Sequence, residues 1–245
     1  MTPTLELIVR AGNDMKYIDT KFASSQGIIV ANTRGKSAIA VSELVMGLMV
    51  ASDRRIVSCV KSLDEGWWEK GKYSNAKGLY GRTLGLIGSG HSGRHVVVRA
   101  KSFGMHIVCF GTICTPEEVT DYGVKILDDL HELARVSDFI SVHPAFNSPK
   151  DEIVTEEFLS HCKEDLVLIN TTRSDAVNDQ AVLAALEAHP NMRYACDVFI
   201  DMPEKTDVTF NSCFSNHPRI ITTQHIGACT AQAEDAVGKE VVRTI

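Results

Sequence analysis

From residue 83 onward the chain alternates two hydrophobic rhythms. Short runs rich in valine, isoleucine and leucine at 84–87, 106–110, 138–142, 166–169, 193–198 and 220–222 read as strands. Between them, segments of helical period at 91–103, 128–134, 155–162 and 179–188 read as helices. Strand and helix in regular succession is the signature of repeated βαβ units around a parallel sheet. Because right-handed crossovers place the helices on both faces, the pattern predicts a doubly wound α/β domain with a crevice at the carboxyl edge of its sheet. Before residue 83 the rhythm changes: 5–9 and 27–31 predict two strands, and 37–56 predicts one long amphipathic helix. The stretch 231–245 is apolar-periodic and lacks both a glycine stop and a trailing proline, as expected of a chain cut inside a helix.

Composition narrows the class. With 245 residues, 44% of them hydrophobic and 23% charged, the chain can build one large core or two modest ones. Its net charge of -6, with lysine and arginine scattered, offers no electrostatic footprint for nucleic acid or an anionic membrane. The seven cysteines are odd in number and show no CxxC spacing, which favours buried thiols in a reducing compartment over a disulfide framework or a zinc site. The first residues lack a basic segment followed by an apolar one, and the longest apolar run, 44–51, is too short to span a bilayer; the expected location is the cytoplasm.

One local motif carries chemistry. Gly88-Ser89-Gly90-His91-Ser92-Gly93 is a GxGxxG run directly after a predicted strand and directly before a predicted helix. Gly88 would allow the tight turn, Gly90 the close approach of backbone to a pyrophosphate, and Gly93 the packing of helix on strand. The amides and dipole of the helix start would then hold the phosphates. A bare glycine-rich turn would look the same without its neighbours; the flanking strand and helix favour a dinucleotide. The motif calls for an acid at the end of the second strand, roughly 20 residues on, to bind the adenosine ribose. Gly111 stands there instead, with Glu117 and Glu118 in the next loop and no lysine or arginine before Lys125, so NAD and NADP are not distinguished by this feature.

Ordered motifs elsewhere extend this reading. They include Arg10-Ala11-Gly12, Asn32-Thr33, Ala40-Val41-Ser42-Glu43-Leu44, Gly66-Trp67-Trp68, Ala100 to Met105, Asp138 to His143, Ile169-Asn170-Thr171-Thr172-Arg173, Asp197-Val198-Phe199 and His225-Ile226-Gly227-Ala228. Over nearly the whole chain they resemble the D-isomer-specific 2-hydroxyacid dehydrogenases. The resemblance implies a bilobal homodimer, with a flavodoxin-like substrate domain represented only in part by residues 1–36. Residues 37–228 would be the Rossmann NAD-binding domain with its linker helix, and 229–245 the helix returning to the substrate domain. It further implies hydride transfer between NAD and a small acidic D-2-hydroxy acid, with 3-phospho-D-glycerate, and so serine synthesis, the first candidate.

Position by position, the resemblance assigns the substrate carboxylate to Arg173, the proton transfer to His225, and an acidic end of the substrate to Arg10. Cofactor contacts would fall on Asn13, His91, Ser92, Pro144, Thr171, Thr172, Asp197, Gly227 and Ala228 besides the glycine turn. A guanidinium forks onto a carboxylate through two hydrogen bonds, and an imidazole exchanges a proton near neutral pH, so both residue types suit these roles. Taken singly, Arg173 would read as a surface ion pair and His225 as a core histidine. The family's third catalytic residue is a glutamate whose place here is taken by Met202, before Pro203, with Asp201 and Glu204 nearby. Met202 and Gly111 together support a second reading, a catalytically weak or inactive NAD(H)-binding sensor or interaction protein. His95, His106, His131 and His161 lack metal spacing and read as structural; no metal is expected.

Overall fold

The computed structural model describes residues 4–13, 15, 17–111, 120–144, 152–203, 206 and 208–245. Glu117, Glu118 and Glu204, raised above as substitutes for missing acids, lie outside the described residues. The main sheet contains, in chain order, β3 (Thr83–Ile87), β4 (His106–Phe110), β5 (Val124–Leu127), β6 (Phe139–Val142), β7 (Val167–Asn170), β8 (Arg193–Cys196) and β9 (Ile220–Thr222). Their spatial order is β5-β4-β3-β6-β7-β8-β9, every neighbouring pair parallel. The order reverses between β3 and β6, the topological point at which a parallel sheet leaves a crevice outside the carboxyl ends of its strands.

Two layers of helix cover the sheet, and alternate side chains along each strand supply them. On one face, α2 (Ala38–Arg54) and α5 (His91–Ser102) bury Val45, Leu48, Met49, Val96, Val97 and Ala100 against Leu84, Leu86, Ile107, Phe139 and Ile169. On the other, α6 (Leu130–Val136), α7 (Glu156–Ser160) and α8 (Asp179–Ala188) bury Leu133, Phe158, Leu159, Val182 and Leu186 against Val108, Ile140, Val142 and Leu168. Each aliphatic side chain so buried contributes roughly 1.5–3 kcal/mol. The expected linker helix 37–56 is α2, ending two residues early, and a further helix follows it directly. Arg55 adopts a left-handed backbone, φ 53° and ψ 40°, ending α2 and starting α3 (Ile56–Asp64). A short α4 (Lys70–Tyr73) follows.

The chain start forms β1 (Leu7–Arg10) and β2 (Ile29–Asn32), a separate parallel pair bridged by α1 (Thr20–Ser25). Both strands begin two residues later than their hydrophobic pattern predicts. The final helix, α9 (Ala231–Thr244), packs on α2 and β1, and Glu240 accepts an ion pair from Lys36 at 2.9 Å. Among the described residues no helix is long and apolar enough to cross a membrane.

Candidate functional site

At the end of β3 the chain turns through Gly88, φ 81°, and enters α5 with Gly90 as its cap. A Cβ on Gly88 would stand 2.2 Å from the carbonyl oxygen of His143 and 3.0 Å from the Cα of Pro144, so only glycine lets β3 and β6 end this close together. A Cβ on Gly90 would meet nothing within 4 Å, and on Gly93 it would approach the Gly88 carbonyl at 3.3 Å. No side chain caps α5 and its first turn carries no acid, so its amino end faces the crevice with its positive dipole unanswered. Ser92 in that turn meets the His143 ring at 3.1 Å, and Ser141 holds the other ring nitrogen at 2.8 Å. Burial pushes the His143 imidazole down to about 4, so it stands neutral beneath the turn.

The neighbouring strand ends line the same edge. After β7, the Thr172 hydroxyl donates to the Val142 carbonyl at 2.8 Å, tying this loop to β6, while the buried Thr171 hydroxyl has no hydrogen-bond partner. Arg173 is held by Asp175, its Nε and Nη2 donating to the two carboxylate oxygens at 2.8 and 2.9 Å. That fork raises the guanidinium above its ordinary value, burial opposing it. The ion pair that its residue type alone suggested is therefore present, two residues away in sequence.

After β8 comes Asp197, fully buried. Its carboxylate accepts from the Thr223 hydroxyl at 2.6 Å and from the amides of Ile226 and Gly227 at 2.9 and 2.7 Å. Three donors on one carboxylate fix the turn after β9, and at its apex His225 is exposed with a left-handed backbone, φ 56°. His225 is thus no core histidine. Ala228 is exposed beside it, and Gly227 sits against the Asp197 carboxylate.

Other expected residues sit differently from their family roles. Arg10 folds back to donate to the Ala11 carbonyl and lies over Gly12. Asn13 accepts from the Gly35 amide at 3.0 Å, and Gly35 in turn backs onto the His91 ring, so Asn13 reaches the phosphate turn at one remove. Gly111 is a left-handed bend directly after β4 and presents no side chain to a ribose. Met202 is half-buried against the apolar cluster on the α6–α8 face. Asp201 is exposed, and its negative charge adds to the burial that raises the Asp179 carboxyl. Among the described residues no carboxylate is hydrogen-bonded to the His225 imidazole.

Sequence spacing also missed two groupings. His143 read only as part of a motif, although it is the base on which the glycine turn rests. His131 from α6, with Glu157 and His161 from α7 and its end, converges so that one donor atom of each lies within 4.8 Å of the others. The two rings meet tilted by 35°, their centres 4.2 Å apart. Because the three come from two helices, no linear metal motif announces them.

A parallel sheet that reverses strand order beside a glycine-lined, uncapped helix start defines a dinucleotide-binding domain. Residues 46–227 match the family model described as D-isomer specific 2-hydroxyacid dehydrogenase, NAD binding domain. The chain belongs to that family, and NAD is the cofactor of its matched domain. It is 35% identical, over 98% of its length, to a D-3-phosphoglycerate dehydrogenase of Methanocaldococcus jannaschii, and spans 45% of that relative. It is 38% identical to a hydroxypyruvate reductase of Thermotoga maritima, covering 98% of this chain and 76% of the relative. A solved glyoxylate reductase from Paecilomyes thermophila superposes with a TM-score of 0.83 at 27% identity, covering 98% of this chain and 71% of the other. The crevice suits the cofactor on its own terms. The open space at Gly90 admits a pyrophosphate, the uncapped α5 supplies amides, and the orphaned Thr171 hydroxyl awaits a polar partner.

Proposed function

We propose that this chain is the NAD-binding part of an oxidoreductase that moves hydride between the nicotinamide and carbon 2 of a small D-2-hydroxy acid. The observation that carries this reading is the Asp197-anchored turn, which presents His225 at the same sheet edge as Arg173 and the glycine turn. Bound NAD supplies the hydride acceptor. Arg173 holds the substrate carboxylate and its C2 oxygen through guanidinium N–H groups, Asp175 keeping the plane oriented. His225 takes the hydroxyl proton as hydride leaves, and returns it in the reverse direction. Asp197 keeps that imidazole in place through backbone amides.

The relatives named for phosphoglycerate and for hydroxypyruvate both act on three-carbon acids, and 3-phospho-D-glycerate remains the first candidate substrate. Serine synthesis in the cytoplasm is the corresponding setting. In this reading residues 1–36 and 229–245 belong to the substrate-binding half, residues 37–228 form the cofactor half, and Arg10 swings from the Ala11 carbonyl to meet an acidic substrate. A homodimer would form through α2, the helix within 37–56 that resembles the family's dimer contact.

The bare His225 imidazole and the apolar seat of Met202 favour a second reading, an NAD(H)-binding protein without efficient turnover. One experiment separates them. NADH consumption is followed with 3-phosphohydroxypyruvate, hydroxypyruvate and glyoxylate, for the natural chain and for His225→Asn. The enzyme reading expects a rate that falls at least a hundredfold in the variant while NADH binding is kept. NADH binding with no turnover above the His225→Asn background selects the sensor.

A further inference from the structure

At the opposite, amino edge of the sheet, far from the crevice, a cavity of about 150 Å³ lies between the end of α2, the start of α3 and the starts of β8 and β9. Four cationic side chains line it, Arg55, Lys61, Arg193 and Arg219, together with His217. Among the described residues none of the four cations is in an ion pair. Asp53, the acid nearest in sequence to Arg55, is spent on Arg82 at 2.9 Å and the Gly78 amide at 3.0 Å. The half-buried Arg193 guanidinium is pushed down by burial and then by the charges of Arg55 and Arg219, with Asp53 giving only partial relief. Like charges gathered in a partly desolvated hollow are unfavourable unless an anion joins them.

Two further features point into the same space. Ser52 lines the cavity, is 2% exposed, and its hydroxyl has no hydrogen-bond partner. Buried hydroxyls are nearly always bonded, so an orphan at a cavity wall marks a place for a ligand. The nine-residue helix α3 starts here without a side-chain cap and without an acid in its first turn, and its first residues Val57 and Ser58 also line the cavity. Its dipole adds to the same positive field.

We propose that this cavity is a binding site for a phosphate-bearing small molecule, held by Arg55, Lys61, Arg193, Arg219 and the Ser52 hydroxyl. A doubly charged phosphate answers several cations at once and offers acceptor oxygens to the guanidinium groups and a hydroxyl. The site does not depend on the reaction proposed for the crevice.

Inorganic phosphate and pyrophosphate are titrated by calorimetry into the full chain at constant ionic strength, with chloride exchanged for phosphate. The natural chain is expected to take up phosphate saturably. Lys61→Gln/Arg219→Gln should weaken it at least tenfold, and Ser52→Ala several-fold with an unchanged melting temperature, because that hydroxyl has no partner to lose. A Lys77→Gln control, which removes a cation bonded to Asp165 outside the cavity, should bind as the natural chain does. Absence of saturable uptake overturns the proposal. So does uptake that survives the double variant, the result expected if phosphate entered only at the glycine turn. A folded Ser52→Ala protein with unchanged affinity removes the hydroxyl from the site and contradicts the assignment as stated.

Discussion

Gly88→Ala is expected to lower folding stability by about 3–5 kcal/mol, a large share of what a domain of this size possesses. Two terms add. An alanine at φ 81° is strained by roughly 1–2 kcal/mol. Its methyl would also stand 2.2 Å from the His143 carbonyl oxygen and 2.8 Å from the carbonyl carbon, both backbone atoms. Neither strand end can retreat freely. The His143 amide donates to Ile87 at 2.7 Å, and the Gly88 amide donates to Phe110 at 2.8 Å, so β4, β3 and β6 are locked across the turn. Urea denaturation of the two proteins measures the difference directly, and a loss below about 1 kcal/mol would show that the turn yields and is not the junction described here.

The second large effect is acid sensitivity through His143. Unfolded, its imidazole takes a proton near 6.5; folded and fully buried it does so only at about 4. Above pH 6.5 both states are neutral and the group is silent. As pH falls from 6.5 to 4 the unfolded chain binds a proton that the folded one refuses, so stability drops by about 1.4 kcal/mol per pH unit, roughly 3 kcal/mol in all. Below pH 4 both states carry the proton and the contribution levels off. His143→Gln retains a side chain able to bond Ser92 or Ser141 and does not titrate. Its stability should therefore decline less between pH 7 and 5 than that of the natural chain. Parallel pH profiles for the two proteins would mean that His143 is not the group responsible.

Much of this architecture was readable from residue types. All but one of the main-sheet strands announced themselves as apolar runs, and the GxGxxG turn lay where its strand and helix required. The exception, β5, is a four-residue edge strand whose Lys125 and Ile126 are exposed, so its pattern lacks the continuous apolar signal of a central strand. The end of α2 near residue 55 was legible, but α3, which follows it directly, was not. No glycine or proline stands at the turn between the two helices, and the left-handed residue there is an arginine that Asn75 and the Tyr73 ring hold from outside.

The candidate site was legible in its parts and opaque in its couplings. Asp197 and His225 stood in recognisable motifs, but the carboxylate's grip on the Ile226 and Gly227 amides exists only once β8 and β9 are adjacent. Arg173 and Asp175 are two residues apart, yet only their geometry shows the fork closed on its own neighbour. The cationic cavity draws on residues from positions 51 to 221, and no window along the chain would collect them.

The most direct test of the whole account is a calorimetric titration of NADH into the folded chain and into Gly90→Val. A side chain at Gly90 enters open space, so the variant should fold and melt within several degrees of the natural chain, the small loss reflecting valine's poorer capping of α5. Those added methyls occupy the room left for the pyrophosphate, and NADH affinity should fall at least tenfold from a saturable one-to-one binding curve. A folded natural chain that takes up no NADH, or a Gly90→Val chain that binds it equally well, would contradict the claim that the amino end of α5 holds the cofactor.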